Sequence, residues 1–187
     1  MKNFLLTLAA GLSLNVARGV ELSPVELKDR LKVYSALGSF RSQFTQLKKL
    51  KEIGVELKSS GTLTVRRPHQ VIWEVKKPSP LTLKMDGKTL TISKGGNETT
   101  TLTGGIKGID RLVAWLRLDA AEISQAYSVS RTPSGDLECR PRKAESHDPL
   151  VSIKLHLRED GTLSQLTLDE RSGDQLEISF NKPENVP

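Results

Sequence analysis

The sequence predicts an α+β fold, mainly β: an incomplete antiparallel β-barrel, or strongly bent sheet, with an N-terminal helix and a short helical lid. Apolar and polar residues alternate over about ten short segments, as expected for strands with one buried face. Turn dipeptides such as Asp86-Gly87 and Asp160-Gly161 separate these segments and favour tight hairpins. The segment 104–127 has helical spacing instead. Because helices within a meander cannot extend its sheet, we expect this lid segment to cover a face or close an end.

The first nineteen residues have the layout of a secretory signal peptide. A basic start at Met1-Lys2-Asn3 precedes an apolar run, and Ala17-Arg18-Gly19 supplies the small residues that a signal peptidase inspects. The run is too short to span a bilayer well, and the alternative is a buried N-terminal helix. We therefore expect cleavage near Gly19, a soluble product and a single domain over residues 20–187.

The N-terminal helix of this domain has clear start and stop signals. Ser23 supplies a capping side chain, Pro24 occupies the first helical position, and Gly38 ends the pattern. The apolar residues between them lie on one helical face, at Leu27, Leu31, Tyr34 and Leu37. This amphipathic helix is expected to pack against the sheet.

The apolar face of the predicted sheet is the candidate binding surface. Its walls are mostly aliphatic and aromatic residues make up only 4% of the chain, a composition that suits flexible acyl chains better than flat rings. The candidate cavity residues are Phe44, Leu63, Val65, Val71, Trp73, Val75, Leu83, Met85, Leu90 and Ile92. The candidate lid residues are Ile109, Leu112, Val113 and Leu116. An ordinary packed core is the alternative that the pattern leaves open.

The chain shows none of the patterns of an enzyme, a metal site or a cofactor site. Its histidines, His69, His147 and His156, lack metal-ligand spacing, and the sequence has no Gly-x-Ser-x-Gly elbow. The sequence pI of about 9.5 is compatible with nucleic acid, but export and the scarcity of stacking aromatics argue against it. Cys139 is the one cysteine, so it forms no internal disulfide and is expected to be a small buried side chain.

Residues 40–92 resemble the periplasmic outer-membrane lipoprotein carriers, the LolA family. The motifs that carry the resemblance are Ser42-Gln43-Phe44-Thr45-Gln46, then Gly61 to Pro68 with its basic Arg-Pro end, then Trp73, Pro78 and Asp86-Gly87-Lys88-Thr89-Leu90. Order and spacing both match the family over about fifty residues. The ending Phe180-Asn181-Lys182-Pro183 is similar to its last strand.

The resemblance implies a periplasmic carrier that shelters the acyl chains of lipoproteins, or of a related envelope lipid, beneath a helical lid. It further implies an inner-membrane transporter as donor and an outer-membrane acceptor. We also expect the protein to act as a monomer. Arg67 falls on the family's latching arginine, whose guanidinium would donate hydrogen bonds to backbone carbonyls of the lid helices and hold the empty pocket shut. A solvated edge arginine is the alternative for Arg67.

Two further alternatives stay open. The same fold is compatible with a periplasmic sensor or adaptor that binds a protein partner rather than a lipid. A basic cluster near the first strands has the charge to dock acidic proteins or lipid headgroups, or it is a solvated face. Its members are Lys48, Lys49, Lys51, Arg66, Lys76 and Lys77.

Overall fold

The fold is dominated by one large antiparallel sheet, seen in a computed structural model that describes residues 20–68, 70–87, 89–102, 115–143 and 149–186. The sheet has twelve strands in the described residues, in the order β6-β5-β4-β3-β2-β1-β11-β10-β9-β8-β7, with β12 paired to β1. Strands β6 and β7 lie at its two ends and are not paired with each other in the described residues. The predicted open, mainly antiparallel architecture is therefore confirmed.

The elements of the first half are α1 (Pro24–Ala36), β1 (Phe40–Leu50), β2 (Val55–Arg66), β3 (Gln70–Lys77), β4 (Leu81–Asp86), β5 (Thr89–Lys94) and β6 (Asn97–Leu102). Those of the second half are α2 (Ala120–Ala126), β7 (Tyr127–Arg131), β8 (Leu137–Pro141), β9 (Leu150–Leu157), β10 (Leu163–Glu170), β11 (Gln175–Phe180) and β12 (Glu184–Asn185). Residues 115–117 are also helical and precede α2.

Strand β1 joins two meanders. On one side it pairs with β2 over its whole length, and on the other it pairs with β11, with Phe44 opposite Phe180. The strands from β1 to β6 follow chain order, and so do those from β7 to β11. The two halves of the sheet are therefore joined through β1, which pairs with both β11 and β12.

Helix α1 begins and ends as its sequence predicts. The Ser23 hydroxyl accepts a hydrogen bond from the Glu26 amide at 3.3 Å, and the Glu26 carboxylate accepts one from the Ser23 amide at 2.8 Å, which completes a capping box. At the other end the Leu37 amide donates to the Tyr34 carbonyl. The residues Leu27, Leu31 and Tyr34 are buried, so the predicted apolar face packs on the sheet.

The segment ahead of α1 extends the sheet at β7. The Leu22 amide donates to the Val129 carbonyl at 2.7 Å, and the Arg131 amide donates to the Val20 carbonyl. Glu21 accepts a hydrogen bond from the Arg142 guanidinium at 2.9 Å. The first described residues therefore cover the outer edge of β7.

The lid segment is described from residue 115 onward. The predicted second short helix is present as α2, where the Asp119 carboxylate accepts from the amides of Ala121 and Glu122. Leu118, between the two helical stretches, is fully buried and has a φ of +49°, a left-handed conformation that ends the first stretch. The predicted lid residues Ile109, Leu112 and Val113 lie outside the described residues.

Candidate functional site

The pairing register places all ten predicted cavity residues on one face of the sheet, in three rows that cross β1 to β5. The first row contains Phe40, Val65, Val71, Met85 and Leu90. The second row contains Ser42, Leu63, Trp73, Leu83 and Ile92. The third row contains Phe44, Gly61, Val75 and Leu81. Side chains on alternate residues of a strand share a face, so these rows form a continuous apolar surface, the concave face.

On β3, β4 and β5, coverage of this face decreases along the strands, away from α1, whereas Phe44 on β1 stays buried. In the first row Val71 and Leu90 are fully buried. In the second row Leu83 and Ile92 are only partly buried, as are Val75 and Leu81 in the third. The cavity residues therefore divide into a packed group near α1 and a partly exposed group farther along β3, β4 and β5.

Helix α1 fills the covered end of the concave face. The Tyr34 ring contacts Phe40 edge-on with centroids 5.2 Å apart. The space enclosed beneath it, bounded in part by Leu63 and Phe180, measures about 10 Å³, roughly enough for one water molecule. Beneath α1 the face is therefore packed core in this conformation, and an acyl chain reaches it only if α1 moves.

Three aromatic rings form the floor of the concave face. Phe44 stacks on Trp73 with centroids 3.8 Å apart, and Phe180 meets Trp73 edge-on at 6.3 Å. Gly61 lies on the strand between Phe44 and Trp73. A Cβ there would lie 1.9 Å from the Glu74 carbonyl oxygen and 2.8 Å from the Phe44 ring. Only glycine lets the Phe44 ring cross β2 and stack on Trp73.

Arg67 is bonded to the C-terminal end of α1. Its Nε donates to the Leu37 carbonyl at 2.8 Å, and one terminal nitrogen donates to the Tyr34 carbonyl at 3.1 Å. The Tyr34 carbonyl also accepts from the Leu37 amide, so the guanidinium adds one bond to it and one to the carbonyl of Leu37, the C-cap residue. Sequence analysis expects the acceptors on the lid helices, whereas the structure places both on α1. The solvated-edge alternative does not describe this geometry.

Tyr34 connects α1 to the lid segment. Its hydroxyl donates to the Leu116 carbonyl at 3.1 Å, and Leu116 is fully buried. Burial raises the pKa of the Tyr34 hydroxyl well above its ordinary value, more than the nearby Arg67 charge lowers it, so the hydroxyl keeps its proton and remains a donor. Arg67, α1 and the lid segment are therefore linked in series through Tyr34.

Replacing Tyr34 with phenylalanine is expected to weaken this link without emptying the core. One hydrogen bond of about 1 kcal/mol is lost, so α1 should separate from the lid segment more readily. Affinity for a dansylated fatty acid, the probe for the acyl chains that the sequence leads us to expect, should then rise about fivefold. Fluorescence titration measures this. Ser124→Ala is the matched control, because among the described residues its hydroxyl bonds to the Ala120 carbonyl within α2. Unchanged affinity in Tyr34→Phe, or an equal rise in Ser124→Ala, would contradict the link.

A polar cleft of about 470 Å³ separates α1 from the lid segment beside Arg67. It is lined by Lys28, Lys32, Arg117 and Asp119, among others. Two of these bases are already paired, Lys32 with Asp29 at 2.8 Å and Arg117 with Glu122 at 3.2 Å. The cleft therefore lies at the boundary between α1 and the lid segment.

The structure also identifies site residues that the sequence patterns miss. Tyr34 is a helix-face residue by spacing, and nothing local indicates its bond across to Leu116. Gly61 is an alternating strand position, and a glycine inside a strand is a general signal of close approach. Phe180 belongs to the far end of the chain and reaches the floor only through pairing of β11 with β1.

The described residues contain no group of three or more His, Cys, Asp or Glu side chains arranged to hold a metal ion. Cys139 is buried, as expected, and burial raises the pKa of its thiol far above the ordinary value. Among the helices in the described part of the chain, none is long and apolar enough to cross a membrane. The described side chains of the concave face are mainly apolar.

Comparisons with known proteins show what this chain is similar to in sequence and fold. The family model for the outer membrane lipoprotein carrier protein LolA matches residues 35–187. An outer-membrane lipoprotein carrier protein of Pectobacterium carotovorum is 26% identical over 163 residues, covering 86% of this chain and 77% of that protein. One from Pseudomonas putida is 26% identical over 125 residues, covering 66% of this chain and 60% of that protein. The crystal structure of MucB superposes with a TM-score of 0.50 at 18% identity, covering 88% of this chain and 60% of MucB.

Proposed function

Because this chain belongs to the LolA family of outer membrane lipoprotein carrier proteins, whose members bind and transport cargo and do not catalyse reactions, we propose that it shelters acyl chains on its concave face and carries them through the periplasm. The cargo is a lipoprotein or a related acylated envelope lipid. The donor is an inner-membrane transporter and the acceptor lies at the outer membrane. The protein acts as a monomer after removal of residues 1–19.

The partly covered end of the concave face is the observation that carries the proposal. Val75, Leu83 and Ile92 form an aliphatic surface that α1 does not fully cover. Each methylene sheltered there contributes about 0.8 kcal/mol, so a dozen supply on the order of 10 kcal/mol. That is enough to hold an acylated cargo in water.

The latch provides the means of release. Arg67 stabilises the closed form through two carbonyls of α1, and the closed form fills the covered end of the face. Binding a complete acyl chain requires α1 to move, so part of the binding free energy is spent on breaking these hydrogen bonds. Arg67 therefore limits the net affinity, and an acceptor with a more open cavity can take the cargo.

A Leu83/Ile92 double variant, compared with an Ile72 control, tests the proposed binding face. Ile92→Ser places a hydroxyl on the concave face, and combined with Leu83→Ser it is expected to lower affinity for a dansylated fatty acid by roughly tenfold, through lost apolar contact. Ile72→Ser is the control, since Ile72 is similarly half-buried but faces the other side of β3. Fluorescence titration measures both variants.

If the Leu83/Ile92 variant and the Ile72 variant lose the same amount of affinity for the fatty acid, the cause is general destabilisation. Unchanged affinity in the Leu83/Ile92 variant would contradict binding at this face. Lipid extraction from protein purified in its native state provides an independent check. Mass spectrometry of the extract then identifies the cargo.

The adaptor alternative has the support of a shared fold, because MucB superposes on this chain. An adaptor is expected to purify with a protein partner and with no bound acylated material. A carrier is expected to give acylated material in the lipid extract. The partly exposed aliphatic surface favours the carrier, since a lipid tail needs an oily surface of this kind and a peptide needs matched polar groups.

A further inference from the structure

The β1–β2 hairpin extends beyond the rest of its half of the sheet. Ser60 is the first β2 residue paired with β3, so residues 55–59 have β1 as their neighbour and no neighbour in β3. Five residues of strand span about 16 Å. The tip, residues 51–57, therefore projects past the β3–β4 turn at the less covered end of the concave face.

The tip is unusually apolar for an exposed hairpin. Ile53 is 66% exposed, Leu57 53% and Val55 40%. Val55 and Leu57 share a face with Gly61 and Leu63, because all four lie on alternate residues of β2. Single exposed aliphatic residues are common, but three within five residues form a patch that continues the concave face outward.

Exposed lysines surround this patch. Lys51 and Lys58 lie on the hairpin, and Lys76 and Lys77 lie at the end of β3. None of these four has an ion-pair partner within the described residues, although the hairpin also carries Glu52 and Glu56. By contrast, Lys48 and Lys49 are paired with Glu170 and Glu177 at 2.5 and 2.6 Å. The unpaired charge beside the patch is therefore mainly positive.

We propose that the hairpin tip is a membrane-docking surface: Ile53, Val55 and Leu57 enter the headgroup region of an anionic bilayer, and the four unpaired lysines contact its phosphates. A narrow apolar projection matches the depth of about 5–10 Å to which interfacial segments bury. Each lysine near an anionic surface adds about 1 kcal/mol. A stable protein interface buries about 800 Å² on each partner, more than three aliphatic side chains on one hairpin provide.

This surface adds to the carrier function proposed above, whose cargo enters and leaves at a membrane. The tip continues from the partly covered end of the concave face, so docking brings that end to the lipid surface. The lysines attract the protein to the membrane, and the aliphatic residues hold it there. Docking itself needs no cargo and no lid movement.

Sedimentation with vesicles tests the proposal on the secreted, purified protein. Binding is expected to vesicles of phosphatidylethanolamine with phosphatidylglycerol, and binding to pure phosphatidylcholine vesicles is expected to be about tenfold weaker. Ile53→Asp is expected to reduce the bound fraction about fivefold by placing a charge at the tip. Val25→Asp is its control, since Val25 is 76% exposed but lies on α1.

A second pair of variants tests the charges. Lys76→Glu with Lys77→Glu is expected to reduce affinity for the anionic vesicles by about 30-fold or more, and added salt is expected to reduce wild-type binding. Lys84→Glu is the control, because Lys84 is also exposed but lies mid-strand in β4. Circular dichroism confirms that each variant keeps its fold.

Three outcomes would overturn the proposal: no wild-type binding to anionic vesicles, equal binding by Ile53→Asp and Val25→Asp, or binding unaffected by both the lysine changes and salt. Titration with a dansylated fatty acid, without vesicles, reports separately on the carrier function. If the wild-type protein binds the fatty acid but not the anionic vesicles, the membrane-docking surface is contradicted and the carrier function is not. If it binds the vesicles but not the fatty acid, the carrier function is contradicted and the membrane-docking surface is not.

Discussion

Replacing Arg67 with leucine is expected to raise affinity for a dansylated fatty acid roughly 30-fold and to slow its release to an acceptor. The variant loses two hydrogen bonds from a charged donor, to the carbonyls of Tyr34 and Leu37. Such bonds contribute about 1.5–3 kcal/mol each. Of their total, we take about 2 kcal/mol as the amount by which they stabilise the closed form relative to the open form. Because apparent affinity depends on the open fraction, 2 kcal/mol corresponds to about 30-fold.

Stopped-flow transfer to unlabelled acceptor vesicles measures the release rate. Arg67→Lys keeps the charge but loses the planar fork, so it is expected to fall between the wild type and leucine variants. Arg66→Leu removes an exposed neighbouring arginine and is expected to change little. If Arg67→Leu binds and releases the probe as the wild type does, Arg67 is not a latch.

Replacing Gly61 with valine is expected to cause the largest loss of stability, about 3–4 kcal/mol. Its Cβ would collide with the Glu74 carbonyl oxygen, a backbone atom of β3, so β2 and β3 would have to separate locally. Overpacking costs about 1–3 kcal/mol, and the stacked Phe44–Trp73 pair contributes about 0.5–1.5 kcal/mol that the variant also loses.

Urea denaturation followed by tryptophan fluorescence measures this loss as a lower midpoint. Gly38→Ala is the matched control, because a Cβ at Gly38 meets no atom within 4 Å. Its midpoint should stay within error of the wild type. A Gly61→Val midpoint equal to that of Gly38→Ala would mean that the Phe44 ring and β3 move aside at little cost, contrary to the packing described above.

Much of the fold follows from local patterns in the sequence. Ser23, Pro24 and Gly38 are sufficient to place α1, because capping and helix-stop signals act within a few residues. Alternation places β2 to β5 and identifies their apolar face. Strand β6 is missed because its residues, half of them threonines, do not alternate in polarity, although threonine favours extended backbone.

The candidate site is less predictable because it depends on contacts between distant segments. Arg67 is identified only by family resemblance, and its acceptors on α1 lie about thirty residues away in the chain. Alternation treats Val71 and Val75 alike, whereas only Val71 is fully covered. The difference depends on where α1 crosses the sheet, which no local pattern specifies.

The pairing of β1 with β11 has a consequence for how the chain reaches its native form during export. The first meander, β1 to β6, needs only neighbouring hairpins and can assemble before the rest of the chain. Strand β1 then keeps one edge without a partner until residues 175–180 arrive, which requires closing a loop of more than a hundred residues. During that interval β1 exposes unpaired backbone groups that can form a sheet with another chain, so the partly folded protein is most prone to aggregate before β11 arrives.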